Sequence, residues 1–121
     1  AERGSVTLFV RLPTPFEVDE AEYRRLVRGM RLDPASLDLA QPRRRLREEF
    51  EARGLVLLDA WPALVQAHAA GERLYGRVDP HFTAAGHGVV AELIEPVAAA
   101  LLGTRDVRKG PPRTAAGTGT P

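Results

Sequence analysis

Two short apolar runs predict buried β-strands. The first spans residues 6–12 (VTLFVRL) and the second residues 55–59 (LVLLD), and neither alternates strictly between apolar and polar positions. Near-continuous hydrophobicity of this kind is typical of strands that are covered on both faces of a parallel sheet. Pro13 and Pro15 follow the first run and Pro62 follows the second, and a helical pattern comes after each. This order predicts parallel strands joined by helical crossovers.

Helical periodicity fills most of the remaining chain. Apolar spacing of three and four predicts helices at about 20–30, 43–53, 62–70 and 83–102. Their ends carry the usual signals: Asp19 or a neighbour and then Thr83 as N-caps, Pro42 in a first turn, and Gly54 and Gly71 as stops. Residues 13–15 are expected to form a stiff loop, 31–41 an irregular connection, 74–76 a short extended piece and 79–82 a loop. The last helix has an inward apolar stripe of Val89, Val90, Leu93, Ile94, Val97 and Leu101.

The order of elements predicts an α/β fold with a parallel sheet. Two strands that are apolar on both faces need neighbours that this chain does not supply, so residues 1–102 are expected to be the C-terminal part of an α/β domain. The chain begins at Ala1 and not at methionine, which suggests a processed product or an excised piece. Residues 103–121 lack periodicity and are rich in Gly, Pro, Thr and charge, which predicts a disordered tail.

Composition and charge argue against several classes of partner and site. The net charge is +1, and 16 of the 17 basic residues are arginine. The body of the chain lacks a basic face interleaved with aromatic residues, so no nucleic-acid partner is expected. No apolar run is expected to approach the ~20 residues of a membrane span. The chain has no cysteine, which excludes disulfides and thiolate metal sites within it.

The stretch 74–88, LYGRVDPHFTAAGHG, carries the candidate chemistry. Asp79 and His81 stand two residues apart, immediately before a capped helix. An imidazole exchanges protons near neutral pH, and a carboxylate bonded to its far ring nitrogen fixes the tautomer and stabilises the imidazolium. One loop can present both groups if the chain bends at Pro80. Thr83 and a close approach at Gly86 are expected to anchor that loop to the helix.

These residues resemble a known family. The pattern D-x-H-F-T-x-x-G-H, preceded by Leu-Tyr and followed by an amphipathic helix, is similar to the last conserved block of the SGNH (GDSL-type) hydrolases. The Phe-Thr pair is most similar to the branch of the alginate O-acetylation proteins and related polysaccharide acetyltransferases. VTLFVRLPTP and RRRLREEFEARGLVLLDAWPAL agree with the family in order, so the resemblance covers residues 5–102.

The resemblance implies a flavodoxin-like three-layer sandwich with a parallel sheet, of which only the C-terminal part is present. It implies an ester hydrolase or O-acyltransferase in which His81 is the general base and Asp79 its orienting partner. The substrate class that it implies is an acylated carbohydrate or another small ester. No cofactor and no metal are implied.

The chain also departs from that family. The family's nucleophile lies in a Gly-Asp-Ser motif after its first strand, whereas Ser5 and Ser36 are the only serines here and neither has that context. The family's oxyanion hole uses a glycine and an asparagine, and this chain contains no asparagine. The resemblance therefore implies that a missing N-terminal segment of the same domain supplies both. The chain alone is expected to be inactive.

Other interpretations of the site stay open on the sequence alone. The histidine of an Asp-x-His loop often only satisfies a backbone group. His87 could join Asp79 and His81 as a third metal ligand, although it is more simply expected to make a polar contact near the loop. The chain could instead be a non-catalytic α/β interaction or assembly module that completes another chain's sheet or dimerises through exposed strand edges.

Four further features have structural interpretations. His68 is expected to be a partly buried, satisfied histidine on its helix. Asp59 is expected to cap the helix that follows the second strand, and Trp61 to pack against the sheet edge. The arginines within 43–47, followed by glutamates within 48–51, predict a solvated helix face with ion pairs four residues apart.

Overall fold

The computed structural model describes the backbone of residues 5–108 and the side chains as far as residue 103. It confirms a mixed α/β fold with parallel strands. The elements follow in the order β1 (Phe9–Arg11), α1 (Pro15–Val18), α2 (Glu20–Met30), a 3₁₀ turn (Pro34–Ser36), α3 (Gln41–Ala52), β2 (Leu57–Asp59), α4 (Trp61–Ala69) and α5 (Ala84–Arg108).

The sheet formed by the described residues has two strands. β1 and β2 pair in parallel with Phe9 opposite Leu57 and Arg11 opposite Asp59. Both strands are only partly covered, and the apolar side chains in and beside them remain open to solvent. Relative exposure is 44% at Val6, 38% at Phe9 and 43% at Leu55. Within residues 5–108, therefore, the apolar strands lack the two-sided cover that their sequences predict.

A short helix, α1, replaces the stiff loop that was predicted for residues 13–15, because Pro15 already opens a helical turn. The carboxylate of Glu17 accepts a 2.8 Å hydrogen bond from the Thr14 backbone N–H, as in a capping box. The helix ends at Asp19, whose N–H donates to the carbonyl of Pro15. The side chain of Asp19 then accepts from the N–H of Ala21 at 2.8 Å and caps α2, as predicted.

α3 agrees with its prediction. Pro42 lies in its first turn, and Gly54 follows its end with a φ of +62°, a conformation that favours glycine. Phe50 packs edge-on against Phe9 of β1 with 5.0 Å between ring centroids. Through this contact α3 packs against the sheet.

The core lies where α4 meets α1, α5 and the segment between α4 and α5. Its fully buried side chains are Leu64 of α4 and Leu74, joined by Val18 and Ala60. The first turns of α5 pack on this cluster through Val89, Val90 and Leu93. The predicted apolar stripe of α5 therefore contacts the core at its N-terminal end.

α5 is longer and more exposed than its sequence predicted. It continues past Leu102 to Arg108, so it includes the start of the predicted tail, while residues 109–121 lie outside the described residues. Its stretch Ala84–Gly103, 20 residues with a mean hydropathy of 1.4, is long and apolar enough to cross a membrane. The expectation that no apolar run approaches this length was therefore wrong. Length and composition alone do not separate a membrane span from a core helix, and the first turns of α5 pack on α4.

Candidate active site

Residues 74–83 form a closed hairpin-like loop between α4 and α5. Tyr75 and Phe82 form an isolated antiparallel bridge, and their rings lie 4.9 Å apart. Below the bridge, the N–H of Thr83 donates to the carbonyl of Leu74 at 2.9 Å. Above it, the N–H of Gly76 donates to the carbonyl of His81 at 2.9 Å. This loop, the 74–83 loop, holds both candidate residues.

Gly76 closes the loop from the inside. A Cβ atom at this position would lie 2.4 Å from the backbone oxygen of Asp79, so no larger residue fits without moving the turn. The sequence analysis predicted a short extended piece at residues 74–76 and gave Gly76 no role. Glycine is a common turn residue, so its place just before the 79–82 loop was a signal that the chain turns there.

The loop is joined to α5 as predicted. The hydroxyl of Thr83 donates to the carbonyl of Arg73 at 2.6 Å and accepts from the N–H of Gly86 at 3.2 Å, which caps the helix. A Cβ on Gly86 would lie 2.4 Å from the oxygen of Leu74 and 2.7 Å from the ring of Phe82. Only glycine lets the helix approach the loop this closely.

The structure brings Asp79 and His81 together. The Nδ1 atom of His81 is hydrogen-bonded to Oδ1 of Asp79, and the backbone N–H of His81 donates to the same oxygen at 3.0 Å. This backbone bond, and then the bond from the imidazole, hold the pKa of the Asp79 carboxyl below its usual range. Asp79 is thus kept as a carboxylate, and Nε2 is the ring nitrogen of His81 that is not engaged by it.

The side chains of Asp79 and His81 are exposed to solvent. The side chains are 65% exposed at Asp79 and 87% exposed at His81. Two grooves reach the residue between them, Pro80. One has a volume of about 480 Å³ and a polar lining that includes Asp19, His68 and Glu72, and the other, of about 520 Å³, is mainly apolar. Asp79 and His81 line neither of these grooves.

The 74–83 loop lies at the carboxyl end of β1. The hydroxyl of Tyr75 donates a 2.8 Å hydrogen bond to the carbonyl of Pro13, which follows that strand. Burial, together with the nearby Glu17 carboxylate, raises the pKa of Tyr75 to about 12. In open α/β sheets, ligands bind beyond the carboxyl ends of the strands. The loop therefore occupies the edge at which such folds carry their sites.

A scan of protein-family models, a search of curated proteins and a search of solved structures found no match to this chain. The assignment of the site therefore rests on its residues and their geometry.

An ion cluster lies beside the loop at the same edge of the sheet. Arg11, the last residue of β1, is 12% exposed and forms ion pairs with Glu17 and, at 3.2 Å, with Asp59. Asp59 also accepts a 3.0 Å bond from the N–H of Trp61, the first residue of α4, although the N-cap position of that helix is Ala60 and not Asp59 as predicted. Arg11 thus joins the ends of both strands to α1.

Arg43 corrects the prediction of a solvated arginine face. Its guanidinium lies 3.8 Å from the centroid of the Trp61 ring, and its Nε atom lies 3.9 Å from Oδ2 of Asp59. Its side chain is 20% exposed, so α3 is attached to the sheet edge by a cation–π contact. Trp61 itself donates from Nε1 to the carbonyl of Glu17 in α1 at 2.8 Å.

The remaining histidines stay apart from the pair. The ring of His87 packs edge-on against Phe82 at 5.7 Å, which is an aromatic and not a polar contact. His68 is partly buried, as predicted, with Nε2 at 3.8 Å from Oδ1 of Asp19. Among the side chains described, up to residue 103, no three of His, Cys, Asp or Glu are grouped closely enough to hold a metal ion. Asp79, His81 and His87 therefore do not form the metal site that the sequence left open.

Neither serine is near the candidate pair in the sequence or is bonded to it in the described residues. The Ser36 hydroxyl donates to the carbonyl of Asp33 within the 3₁₀ turn at 2.8 Å, and Ser5 is exposed ahead of β1. Within the described part of the chain, neither is hydrogen-bonded to His81. The structure therefore brings together the predicted acid and base but no nucleophile.

Proposed function

We propose that this chain supplies the histidine and the aspartate of an SGNH-type serine ester hydrolase or O-acyltransferase. A segment that precedes it in the same domain supplies the serine and the oxyanion hole. The whole domain is a flavodoxin-like three-layer sandwich, and its substrate is an acylated carbohydrate or another small ester. No metal or cofactor takes part.

The observation that carries the proposal is the Nδ1–Oδ1 hydrogen bond between His81 and Asp79 in a loop at the carboxyl end of β1. With Nδ1 engaged by a carboxylate, Nε2 can take the proton of a serine hydroxyl as its oxygen attacks the acyl carbonyl. Collapse of the tetrahedral intermediate breaks the ester C–O bond, and His81 returns the proton to the departing alcohol. Water or a sugar hydroxyl, deprotonated in turn by His81, then takes the acyl group from the serine.

Asp79 remains ionised throughout this cycle, because its pKa is held low by the His81 backbone N–H and ring. Its charge stabilises the imidazolium that forms when Nε2 accepts the serine proton. The exposure of both side chains agrees with a site whose other wall comes from elsewhere. The open apolar side chains Val6, Phe9 and Leu55 offer that segment a surface on which a further strand can pack.

The test is to express the chain together with its natural preceding region and to measure hydrolysis of p-nitrophenyl acetate. His81→Ala is expected to lower kcat/KM by ~10³-fold or more, and Asp79→Asn by a similarly large factor, with the fold intact by circular dichroism. His87→Ala is the matched control, since it removes a neighbouring imidazole that packs edge-on against Phe82, and it should keep most of the activity. Unchanged turnover in His81→Ala and Asp79→Asn would refute the proposal.

A second candidate function is a non-catalytic assembly module. The observation in its favour is the two-stranded sheet with Val6, Phe9 and Val56 open to solvent, a surface on which another chain can complete the sheet. Sedimentation of the 121-residue chain separates the two. A stable, well-ordered oligomer at micromolar concentration favours the module, and a partly disordered or aggregating chain favours the incomplete enzyme.

A further inference from the structure

One peptide group joins the ion cluster at the end of β1 to the 74–83 loop. It is the peptide between Pro13 and Thr14. Its N–H donates to the carboxylate of Glu17 at 2.8 Å, and its carbonyl accepts from the hydroxyl of Tyr75 at 2.8 Å. The peptide is trans, so its N–H and its carbonyl point in opposite directions. Glu17 therefore holds one end of this group, and Tyr75 binds the other end.

The carboxylate of Glu17 is itself held in place on both sides. Its Oε2 atom accepts the bond from the Thr14 N–H and a second bond, of 3.0 Å, from the Thr14 hydroxyl. Its Oε1 atom is bonded to the guanidinium of Arg11, and the side chains of Glu17 and Arg11 are only 12% exposed. Arg11 also pairs with Asp59 at 3.2 Å, so the ends of both strands orient the carboxylate.

The chain around the Pro13–Thr14 peptide has little conformational freedom. Proline fixes its own φ and restricts the residue before it to extended conformations. Pro13 is buried, and Thr14 lies between Pro13 and Pro15 with φ −81° and ψ 161°. A shift of the Glu17 carboxylate is therefore poorly absorbed by rotation within this segment, and it is passed on to the Pro13 carbonyl.

Tyr75 connects that carbonyl to the bonds that close the 74–83 loop. Its backbone pairs with Phe82 in the antiparallel bridge. The N–H of the next residue, Gly76, donates to the carbonyl of His81 at 2.9 Å. The phenol of Tyr75 is thus the link between the Pro13 carbonyl and the backbone of His81.

We propose that Glu17 is a positioning residue for the candidate pair: with Arg11 it orients the Pro13–Thr14 peptide, and through Tyr75 this peptide sets where the loop presents His81 relative to the sheet. The inference rests on the proposed function, because the position of His81 affects a reaction only if a serine from elsewhere in the domain must meet it. In this role Glu17 acts through Tyr75 and does not touch the substrate. A carboxylate that only capped α1 would have no such effect on the loop.

The charge of Glu17 strengthens the whole series of bonds. A peptide N–H that donates to a carboxylate polarises its peptide group, and the carbonyl of that group then accepts more strongly. The carboxylate also acts on the phenol directly. Burial, and next the Glu17 carboxylate, raise the pKa of Tyr75 to about 12, although Arg11 lowers it. Glutamine has one acceptor oxygen and no charge, so Glu17→Gln can keep the bond to Thr14 or the bond to Arg11 but not both.

Asp38 provides a matched control for Glu17→Gln. Its carboxylate also accepts from backbone N–H groups at the start of a helix, those of Ala40 at 3.0 Å and Gln41 at 3.2 Å. It also pairs with an arginine, Arg44, at 2.5 Å. Asp38→Asn therefore removes the same kind of charge and the same kind of cap, but its partners lie within residues 40–44 and not in the 74–83 loop.

The first experiment measures amide hydrogen exchange in the ¹⁵N-labelled 121-residue chain. The amides of Gly76 and Thr83 report on the bonds that close the loop, and those of α4 report on the core. Glu17→Gln should speed exchange at Gly76 and Thr83 by about tenfold more than in α4, because local opening is separate from global unfolding. Asp38→Asn should leave this ratio unchanged. An equal acceleration of all these amides in Glu17→Gln is the sign of a general loss of stability and overturns the inference.

A double-mutant cycle tests the route through the phenol. Tyr75→Phe should give the same selective acceleration at Gly76 and Thr83, and Glu17→Gln added to Tyr75→Phe should change it by less than about twofold. Effects that add in the double variant would mean that Glu17 does not act through Tyr75, and they overturn the inference.

Arg11→Lys replaces Glu17→Gln in the cycle if the latter does not fold. It keeps a positive charge beside Glu17 but exchanges the forked guanidinium for a single ammonium, which cannot hold Glu17 and Asp59 in the same geometry. A smaller acceleration at Gly76 and Thr83 is expected. An acceleration no larger than that in Asp38→Asn overturns the inference.

Catalysis provides a separate readout in the chain extended by its natural preceding region. Glu17→Gln should lower kcat for p-nitrophenyl acetate by about tenfold or more and change KM by less than about twofold, since a displaced His81 slows the chemical step while Glu17 makes no contact with the substrate. Selective exchange at the loop without any ester hydrolysis would sink the proposed function, while the role of Glu17 in fixing the loop stands. Hydrolysis that depends on His81 but is the same in Glu17→Gln and Asp38→Asn would sink the inference alone.

Discussion

The hydroxyl of Tyr75 donates its hydrogen bond to the carbonyl of Pro13, 62 residues earlier in the chain. Through this one bond the loop that carries Asp79 and His81 is fixed to the end of β1. The ring of the same tyrosine packs on Phe82 at the base of the loop. The position of the candidate pair relative to the sheet therefore depends on the phenol of Tyr75.

Removing that hydroxyl is expected to cost stability. Tyr75→Phe leaves the Pro13 carbonyl without this donor and should lower the free energy of unfolding by about 1 kcal/mol. Urea denaturation followed by circular dichroism measures the change. Tyr23→Phe is the control, because among the described residues no hydrogen bond of the Tyr23 hydroxyl is found, and its loss should be close to zero. Equal values for the two variants would contradict this role of Tyr75.

Tyr75 also predicts a loss of stability at high pH. Its folded-state pKa of about 12 is above the unfolded value of about 10, so the folded chain holds the phenolic proton more tightly. This contribution to stability is complete below about pH 10 and is lost as the pH rises towards 12. Urea denaturation at pH 9 and at pH 11 should show a decrease that is smaller in Tyr75→Phe. An equal decrease in both proteins would argue against the raised pKa.

The carboxyl of Asp79 should titrate below the ordinary aspartate value of about 3.9. The His81 backbone N–H is the largest cause, so His81→Ala should raise this pKa only partway and His81→Pro, which removes the N–H, should raise it further. Because the folded pKa is lowered, the contribution of Asp79 to stability is present above pH ~4 and is lost as the pH falls through the folded pKa. Carboxyl-detected NMR titration of the three proteins gives the order, and an ordinary pKa in the unsubstituted chain would rule out the bonded pair.

Gly86 and Gly88, two residues apart in α5, should respond oppositely to alanine. A Cβ at Gly86 meets the Leu74 oxygen and the Phe82 ring, so Gly86→Ala should destabilise the chain by ~1–3 kcal/mol as the helix is pushed away. A Cβ at Gly88 meets nothing within 4 Å, so Gly88→Ala should stabilise it by ~0.5–1 kcal/mol. Thermal unfolding of both variants is the measurement. A stabilising Gly86→Ala would mean that the helix does not approach the loop so closely.

Leu64 should be the most costly truncation in the core, since it is fully buried on α4. Leu64→Ala is expected to lower the free energy of unfolding by ~2–5 kcal/mol, through lost burial and the cavity that remains. Leu102→Ala removes the same atoms from a side chain that is 60% exposed and should cost about 0.5 kcal/mol or less. Chemical denaturation of the two variants, analysed with the same dependence of free energy on denaturant concentration, should give unfolding free energies that differ by more than about 1 kcal/mol.

Local signals predicted the elements well, because caps and breakers act within a few residues. Asp19 caps α2, Thr83 caps α5, and Gly54 follows α3 with positive φ, all as the sequence indicated. The missed helix α1 had the same kind of signal, since Thr14 and Glu17 have capping-box spacing around Pro15. The sequence-based expectation for residues 13–15 gave the two prolines too much weight as loop formers.

Features that depend on distant residues were harder to predict. Arg43 has the sequence context of a solvated arginine, and only the packing of α3 on the sheet edge shows that it stacks on Trp61. The pairing of Asp79 with His81 was predictable because both lie on one short loop. The grooves on either side of Pro80 were not, since they are formed where α1, α2 and the end of α4 meet the loop.

Val78, at the tip of the 74–83 loop, is fully exposed, and the chain contains no cysteine. A single Val78→Cys change would therefore create a unique thiol at the rim of the groove that Asp19, His68 and Glu72 line, with no packing to lose. A fluorophore attached there would stand two residues from Pro80 and report directly on whatever enters from that side.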